Sequence, residues 1–363
     1  MRIAYIHTSS DPGAANVIQV NMMTQALESI ENMSVELFVP RIKNSLKEMP
    51  FTVEEVVQYP LLRTWSALKY LLGGLKIIKN QRKFGLIYFR NPSFLLPFLF
   101  VFRARLVYEI HNNKLSENRF TNILYFALLR LLILAHGKRL KIVVISNNLL
   151  NYFKSKLKKN NIQVLHDGID LETFNPIAKE EACMQVGLDQ GTFRICYAGS
   201  LKKDRNIEDI LAIARANEKF EFLILGGEGE VLETYRRLVI DEQLSNLKFM
   251  GRVPHDKVSV YLSASDVLIG LWSRDIPTFN YCSPLKVFEY LAMNRLVLFH
   301  ELPTIKEITG ETAHIKFVGF DSVEDISQAL NIFHSKPNNE IDTRSLVINY
   351  TWTERAKSAL DFR

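Results

Sequence analysis

The most chemically suggestive stretch of the chain is Phe279-Asn280-Tyr281-Cys282-Ser283-Pro284-Leu285-Lys286-Val287-Phe288-Glu289-Tyr290-Leu291-Ala292. It reads as a loop that turns into a helix, with Ser283 as N-cap and Pro284 at the first helical position, where no amide hydrogen is needed. Leu285, Phe288, Leu291 and Ala292 recur at helical spacing and are expected to face a core. Lys286 falls in the first turn, where the helix dipole is positive and a cation costs a few tenths of a kcal/mol, roughly, unless an anion sits at the helix start. Glu289 follows one turn later. The pair can hold an anion and a hydroxyl donor at one helix N-terminus, or be a solvated Lys–Glu pair on an ordinary helix.

Other candidates follow predicted strands. Tyr197-Ala198-Gly199-Ser200-Leu201-Lys202-Lys203-Asp204-Arg205-Asn206 joins a strand end, a glycine, a basic cluster and a helix start. That combination suits a diphosphate, and equally describes a solvated basic turn. Gly226, Gly227 and Gly229 make a glycine-rich turn, and Gly251-Arg252-Val253-Pro254 can offer backbone groups to a base. His111 directly follows the strand Val107-Tyr108-Glu109-Ile110, a place where a histidine meets substrate or serves the core. The loop Thr8–Asn16 has small residues that allow a ligand close to the backbone, but Gly13 is its single glycine. It therefore lacks a dinucleotide fingerprint, which argues against a nicotinamide enzyme.

The elements that must position these residues alternate. Apolar runs at 3–7, 35–39, 86–89, 106–110 and 142–145 are separated by helical patterns at 17–31, 65–80, 121–136 and 148–158. The second half repeats this, with strands at 194–198, 222–225, 247–250, 267–271, 296–299 and 315–318. Such alternation predicts α/β architecture with parallel sheets covered by helices, here two doubly wound Rossmann-like domains facing across a cleft. The break at His166-Asp167-Gly168-Ile169-Asp170 divides them. The expected division is 1–168 for an acceptor-binding domain, 169–345 for a donor-binding domain, and 346–363 for a terminal helix that could pack back on the first.

The net charge of +6 hides an asymmetry. Residues 1–175 hold 23 Lys/Arg against 12 Asp/Glu, and the remainder 22 against 27. A basic first half attracts an anionic surface or ligand. Without aromatic–basic interleaving, an anionic membrane face or an anionic ligand is expected rather than nucleic acid. Phe94–Phe102 is too short to span a bilayer, and Arg130 interrupts Leu124–Leu134. With Arg103, Arg105, Lys138, Arg139 and Lys141 beside them, these segments suit either a core or an element lying on anionic lipid. Three cysteines without close spacing (Cys183, Cys196, Cys282) fit a reducing compartment and argue against a disulfide framework or zinc site. The N-terminus runs straight into an apolar strand with no leader pattern. A cytoplasmic protein, peripheral on the inner face of a membrane, is the expectation.

At this point the residues resemble a family. Val143–Leu149, Asp167-Gly168-Ile169-Asp170 with Phe174 and Pro176, Ala198–Leu201, Ile224–Gly229 and Ser283–Ala292 occur in the order found in GT-B-fold retaining glycosyltransferases of family 4, and closest to members with a Ser-Pro-Leu-Lys segment. The resemblance spans nearly the whole chain. It implies transfer of a sugar from a nucleotide-diphosphate donor, with Glu289 as the second Glu of a Glu-x7-Glu motif on the ribose hydroxyls. It further implies Arg205 on the diphosphate, His111 facing the transferred sugar, and the backbone at Arg252 and Val253 meeting the base. Ser283, Pro284, Leu285 and Lys286 would line the sugar–phosphate end. Two departures stand out: Tyr281 occupies the place of the first Glu, and Ser200 that of a diphosphate-binding Arg, for which Lys202, Lys203 or Lys286 could substitute. The expected site therefore has His111, Lys286 and Glu289 as catalytic residues. Gly13, Gly199, Ser200, Lys202, Lys203, Arg205, Gly227, Arg252, Val253, Tyr281, Ser283, Pro284, Leu285, Lys286 and Glu289 are expected to bind the donor.

The chemistry follows from charge. Breaking a sugar–diphosphate bond builds negative charge on the leaving phosphate, which fixed cations and a helix N-terminus stabilise. No Asp-x-Asp stands at a strand end, so no metal and no further cofactor are expected. Retention is implied by the resemblance alone. The expected acceptor is a saccharide, lipid-linked or a growing surface polysaccharide. Two alternatives stay open: a GT-B nucleotide-sugar epimerase, and a nucleotide-sugar-binding protein without catalysis.

Overall fold

The computed structural model describes the chain apart from residues 9–14, 42–50, 54, 63–67, 158–161, 203–204, 311, 321, 336–339 and 363, and apart from the side chains of 15 and 16. The chain divides into two compact units, residues 1–168 with 352–363, and residues 169–351. Residues 346–351, read from the sequence as part of the terminal element, belong to the second unit.

The first unit runs β1 (Arg2–Ile6), α1 (Ala15–Glu28), β2 (Ser34–Pro40), β3 (Glu55–Tyr59), α2 (Leu71–Lys79) and β4 (Leu86–Phe89). It continues with α3 (Leu95–Phe98), β5 (Arg105–Ile110), α4 (Arg119–His136), β6 (Leu140–Val144), α5 (Asn147–Leu157) and β7 (Ile162–Val164). Its seven strands are parallel, in the order β3-β2-β1-β4-β5-β6-β7. β4 and β6 are buried at every position, which is why β4 reads as an uninterrupted apolar run and β6 as one after Lys141. α4 begins where the Asn118 side chain accepts from Thr121 N at 3.0 Å, and stops at Gly137, whose φ of +52° suits glycine. The sequence reading missed two strands, both at sheet edges. β3 alternates poorly and has a Glu, and β7 is three residues long.

The second unit runs α6 (Lys179–Val186), β8 (Arg194–Ala198), α7 (Ile207–Ala216), β9 (Glu221–Leu225), α8 (Gly229–Asp241), β10 (Leu247–Gly251) and α9 (His255–Ser263). β11 (Val267–Gly270), α10 (Leu285–Ala292), β12 (Leu296–His300), α11 (Pro303–Thr309), β13 (Ile315–Val318) and α12 (Val323–Ser335) complete it. Its parallel sheet has the order β10-β9-β8-β11-β12-β13. Both of its faces are covered by apolar side chains, with Ile195, Tyr197 and Ile224 on one side and Cys196, Leu223 and Leu225 on the other. The last helix, α13 (Trp352–Leu360), belongs to the first unit, where the Lys141 ammonium binds the carbonyls of Ser358 and Asp361 at its C-terminal end.

In each sheet the strand order reverses once, at β1/β4 and at β8/β11. Loops leaving such a point diverge to opposite faces and open a crevice at the carboxyl ends of the strands, where α/β proteins bind ligands.

Candidate functional site

In the second unit three adjacent strands end in glycine at the same level. Gly199 N donates to Leu225 O at 2.9 Å, and Gly226 N donates to Gly251 O at 2.7 Å. A Cβ on Gly226 would lie 2.0 Å from Gly199 O, and one on Gly227 2.3 Å from Leu201 Cδ1, with φ at +116° and +80°. Any other residue at Gly226 would collide with backbone, and at either position it would be strained by the positive φ. The glycines clear the carboxyl edge of β8 and β9 of side chains.

Lys286 reaches this edge from the other side of the strand-order reversal. Its Nζ lies 3.9 Å from the centroid of the Tyr197 ring and 5.5 Å from that of Trp272, a cation against two π faces. A Cβ on Gly199 would come within 2.9 Å of the same Nζ. α10 is fixed to β8 by Tyr290, whose hydroxyl accepts from Ala198 N at 2.7 Å. The helix start differs from expectation. Pro284, with extended ψ of 123°, is the N-cap, and buried Ser283 precedes it. Leu285 is only half-buried. The core face is Val287, Phe288, Tyr290, Leu291 and Ala292, because the helix is rotated to send Lys286 toward Gly199.

Glu289 has a partner that the sequence reading missed. His255 Nε2, at the start of α9, lies 3.8 Å from Glu289 Oε1, an ion-pair rather than hydrogen-bond distance. The Glu289 carboxylate raises the His255 pKa above its usual value. The remaining expected donor residues are more dispersed. Ser200 and Lys202 are exposed in the turn after Gly199, Lys202 O accepts from Arg205 N at 2.9 Å, and Asn206 Nδ2 donates to Trp272 O at 3.3 Å. Arg252 is exposed and pairs with Glu228 at 3.2 Å, beside half-buried Val253. Tyr281 lies in a turn closed by its own N–H on Thr278 O. Gly13 and Lys203 lie outside the described residues.

His111 belongs to the first unit, within a buried charge cluster at the carboxyl ends of its strands. Glu109, 3% exposed, is its centre. It accepts from the Tyr88 hydroxyl and from His111 Nε2, and lies 3.5 Å from Arg90 Nε and 3.2 Å from Arg355 Nη2. Arg355 also approaches Asp167 at 3.7 Å, and Asp167 accepts from Gln19 Nε2 at 2.8 Å. Arg90 Nη2 donates to His111 Nδ1 at 3.0 Å, which fixes the tautomer that carries its proton on Nε2. Burial first, then Arg90, lowers the His111 pKa to about 4, so the ring is neutral at pH 7. Burial alone would raise the Glu109 carboxyl, but Arg355, Arg90 and His111 outweigh it and hold it well below the usual range. Asp167 goes the other way, pushed by burial up to about 6 against the pull of Arg355.

Both ring nitrogens of His111 are thus engaged by protein groups, and 27% of the side chain stays accessible. The sequence placed His111 at a strand end, as found, but missed Glu109, Arg90 and Arg355. Glu109 left one trace, a lone acid in the otherwise apolar end of β5. Arg355 left none, since 246 positions separate it from Glu109.

Two parallel-sheet α/β units of this kind constitute the GT-B fold of glycosyltransferases. Comparison with known proteins agrees with that class. Residues 192–334 match the family model described as glycosyl transferases group 1. An uncharacterized glycosyltransferase of Methanocaldococcus jannaschii is 22% identical over 275 residues, 69% of each chain. The alpha-galactosylglucosyldiacylglycerol synthase of Streptococcus pneumoniae is 20% identical over 159 residues, 42% of this chain and 41% of that protein. Among solved structures, Anabaena HepE in complex with UDP and glucose superposes with a TM-score of 0.65 at 14% identity, over 99% of this chain and 95% of its own.

Proposed function

We propose that this protein is a retaining glycosyltransferase of family 4 that moves a sugar from a nucleotide-diphosphate donor to a hydroxyl of a lipid-linked or growing surface polysaccharide at the inner face of a membrane. The observation that carries the reading is the convergence of Lys286 and the glycine edge at the β8/β11 reversal. There a diphosphate would meet the Lys286 ammonium and the positive N-terminus of α10, at strand ends that glycine leaves clear of side chains. Charge that develops on the leaving phosphate is met by groups already in place, and the reaction is proposed to need no metal. Arg205, with Lys202 and Lys203 close to it in sequence, is proposed to extend that positive edge. Glu289 is proposed to accept from the ribose hydroxyls, which would compete with His255 for its carboxylate. Arg252 and Val253 flank the base. His111 is proposed to face the transferred sugar as a neutral group rather than as an acid.

UDP is the first nucleotide to test, because HepE, which has the same fold, holds UDP and glucose. The S. pneumoniae relative, named as a glycolipid synthase, supports a lipid-bearing acceptor. Thermal shifts with UDP, GDP and ADP, then with their sugars, identify the donor. With the matched donor, Lys286→Ala is expected to lower turnover by about 10²- to 10³-fold, the usual effect of removing one fixed charge-stabilising donor. Unchanged turnover in both Lys286→Ala and Arg205→Ala would sink the diphosphate assignment.

A further inference from the structure

α4 is unusual for a helix that covers a sheet, because it is apolar on both sides. Its inner face is committed to the first unit. Leu128, Leu129 and Leu132 are buried, Tyr125 and Ser93 hydroxyls meet at 2.8 Å, and His136 Nε2 lies 2.9 Å from Phe98 O. Its outer face carries Phe120, Ile123, Leu131 and Leu134, exposed by 79, 59, 51 and 80%. Their spacing keeps them on one stripe along all five turns of the helix. At its C-terminal end the stripe continues into Phe102, 68% exposed, whose carbonyl is held by Arg139.

The charge along α4 and the segment that follows it has one sign. From Asn118 to His166 the sequence has nine Lys/Arg and no Asp or Glu. Two of the nine, Lys154 and Lys156, project from α5, which lies beside α4. Arg130 Nη2 donates to Lys156 O at 3.2 Å, and Phe126 stacks on Phe153 at 5.8 Å. A second copy of this surface would be repelled by it, since like charges would meet across the contact. A sheet of anionic lipid is complementary in both respects: apolar below and negative at the head groups.

We infer that the outer face of α4, extended by Phe102 and flanked by the α5 lysines, is a docking surface for an anionic bilayer. The helix lies in the interface plane with its apolar stripe among the acyl chains. Arg119–Arg139 is long and apolar enough to cross a membrane by length and composition. It does not cross, because its inner face would have to leave the buried contacts of Tyr125, Leu129 and His136. This surface is independent of the donor site, and its test does not require turnover.

Flotation of the full chain with phosphatidylcholine vesicles, with and without phosphatidylglycerol, tests the inference. Binding is expected with the anionic vesicles at low salt, and weaker by about tenfold or more without the anionic lipid or at high salt. Ile123→Glu combined with Leu134→Glu should lower vesicle affinity by about a hundredfold or more, because each removes the burial of a whole aliphatic side chain. Both positions are exposed, so circular dichroism should be unchanged. Ile240→Glu, at a comparably exposed apolar position in the second unit, should bind like the parent. No flotation of the parent, or equal flotation of the double variant, overturns the inference. A parent dimer in light scattering that the double variant converts to monomer, without vesicle binding, also overturns it and makes the face an interface between copies.

Discussion

The two units treat charge differently at the carboxyl ends of their sheets. In the first, Glu109, Arg90, Arg355, His111 and Asp167 are packed together and pair with one another. In the second, one cation, Lys286, is set against aromatic faces beside strand ends that glycine has cleared. A buried, mutually paired cluster resists change and fixes the shape of its loops, since breaking one buried pair leaves the others desolvated. A cleared edge with a cation costs less to alter structurally and more to alter functionally. The difference separates a region held together by its own charges from one that glycine leaves open, where the donor is proposed to bind.

The sharpest way to break the comparison is Arg355→Ala. It strips Glu109 and Asp167 of a shared buried cation and should destabilise the first unit by about 3–5 kcal/mol, read from urea unfolding. Lys286→Ala should change unfolding stability by no more than about 1 kcal/mol while turnover falls as proposed above. A similar stability loss in both variants would erase the distinction.

An effect at least as large is expected on acid stability. Burial lowers His7 to about 3, and His111 and His166 to about 4. A depressed histidine contributes stability that is complete above about pH 6.5 and is lost as pH falls toward its folded pKa. A two-unit shift corresponds to roughly 3 kcal/mol. Asp167, raised to about 6, has the opposite sign, and its folded carboxyl keeps a proton between about pH 4 and 6 that the unfolded chain releases. Three histidines outweigh one carboxyl, so the thermal midpoint should fall between pH 6.5 and 4. A midpoint constant over that range would show that the first cluster is less buried than the geometry indicates.

Gly226→Ala should cost about 1–3 kcal/mol through its left-handed backbone alone, with further displacement of Gly199, and should weaken nucleotide-induced thermal shifts. The smallest effect is expected for Arg252→Ala. Its pair with Glu228 is solvent-exposed, so stability should change by no more than about 1 kcal/mol, and any loss should appear in nucleotide affinity.

Much of this was legible in the sequence. Fully buried strands such as β4 and β6 read as apolar runs, and their alternation with helices implied two parallel sheets. Gly199 and the Ser-Pro-Leu-Lys segment marked the second-unit edge, although the helix was expected to start one residue early. Edge strands β3 and β7 escaped because a strand with one protected side and few residues carries little hydrophobic pattern. His111 was visible as a residue after a strand, while the Arg90 and Glu109 contacts that fix its tautomer were not.

The sequence by itself determined the order of elements, the glycines and the basic, acid-free run from Asn118 to His166, because periodicity, backbone freedom and charge are local properties. Only the tertiary structure decided that Arg355 meets Glu109, that Tyr197 and Trp272 flank Lys286, and which stripe of α4 faces outward. A parallel sheet brings strand ends together that are far apart along the chain, and no local pattern records which side chains will meet there.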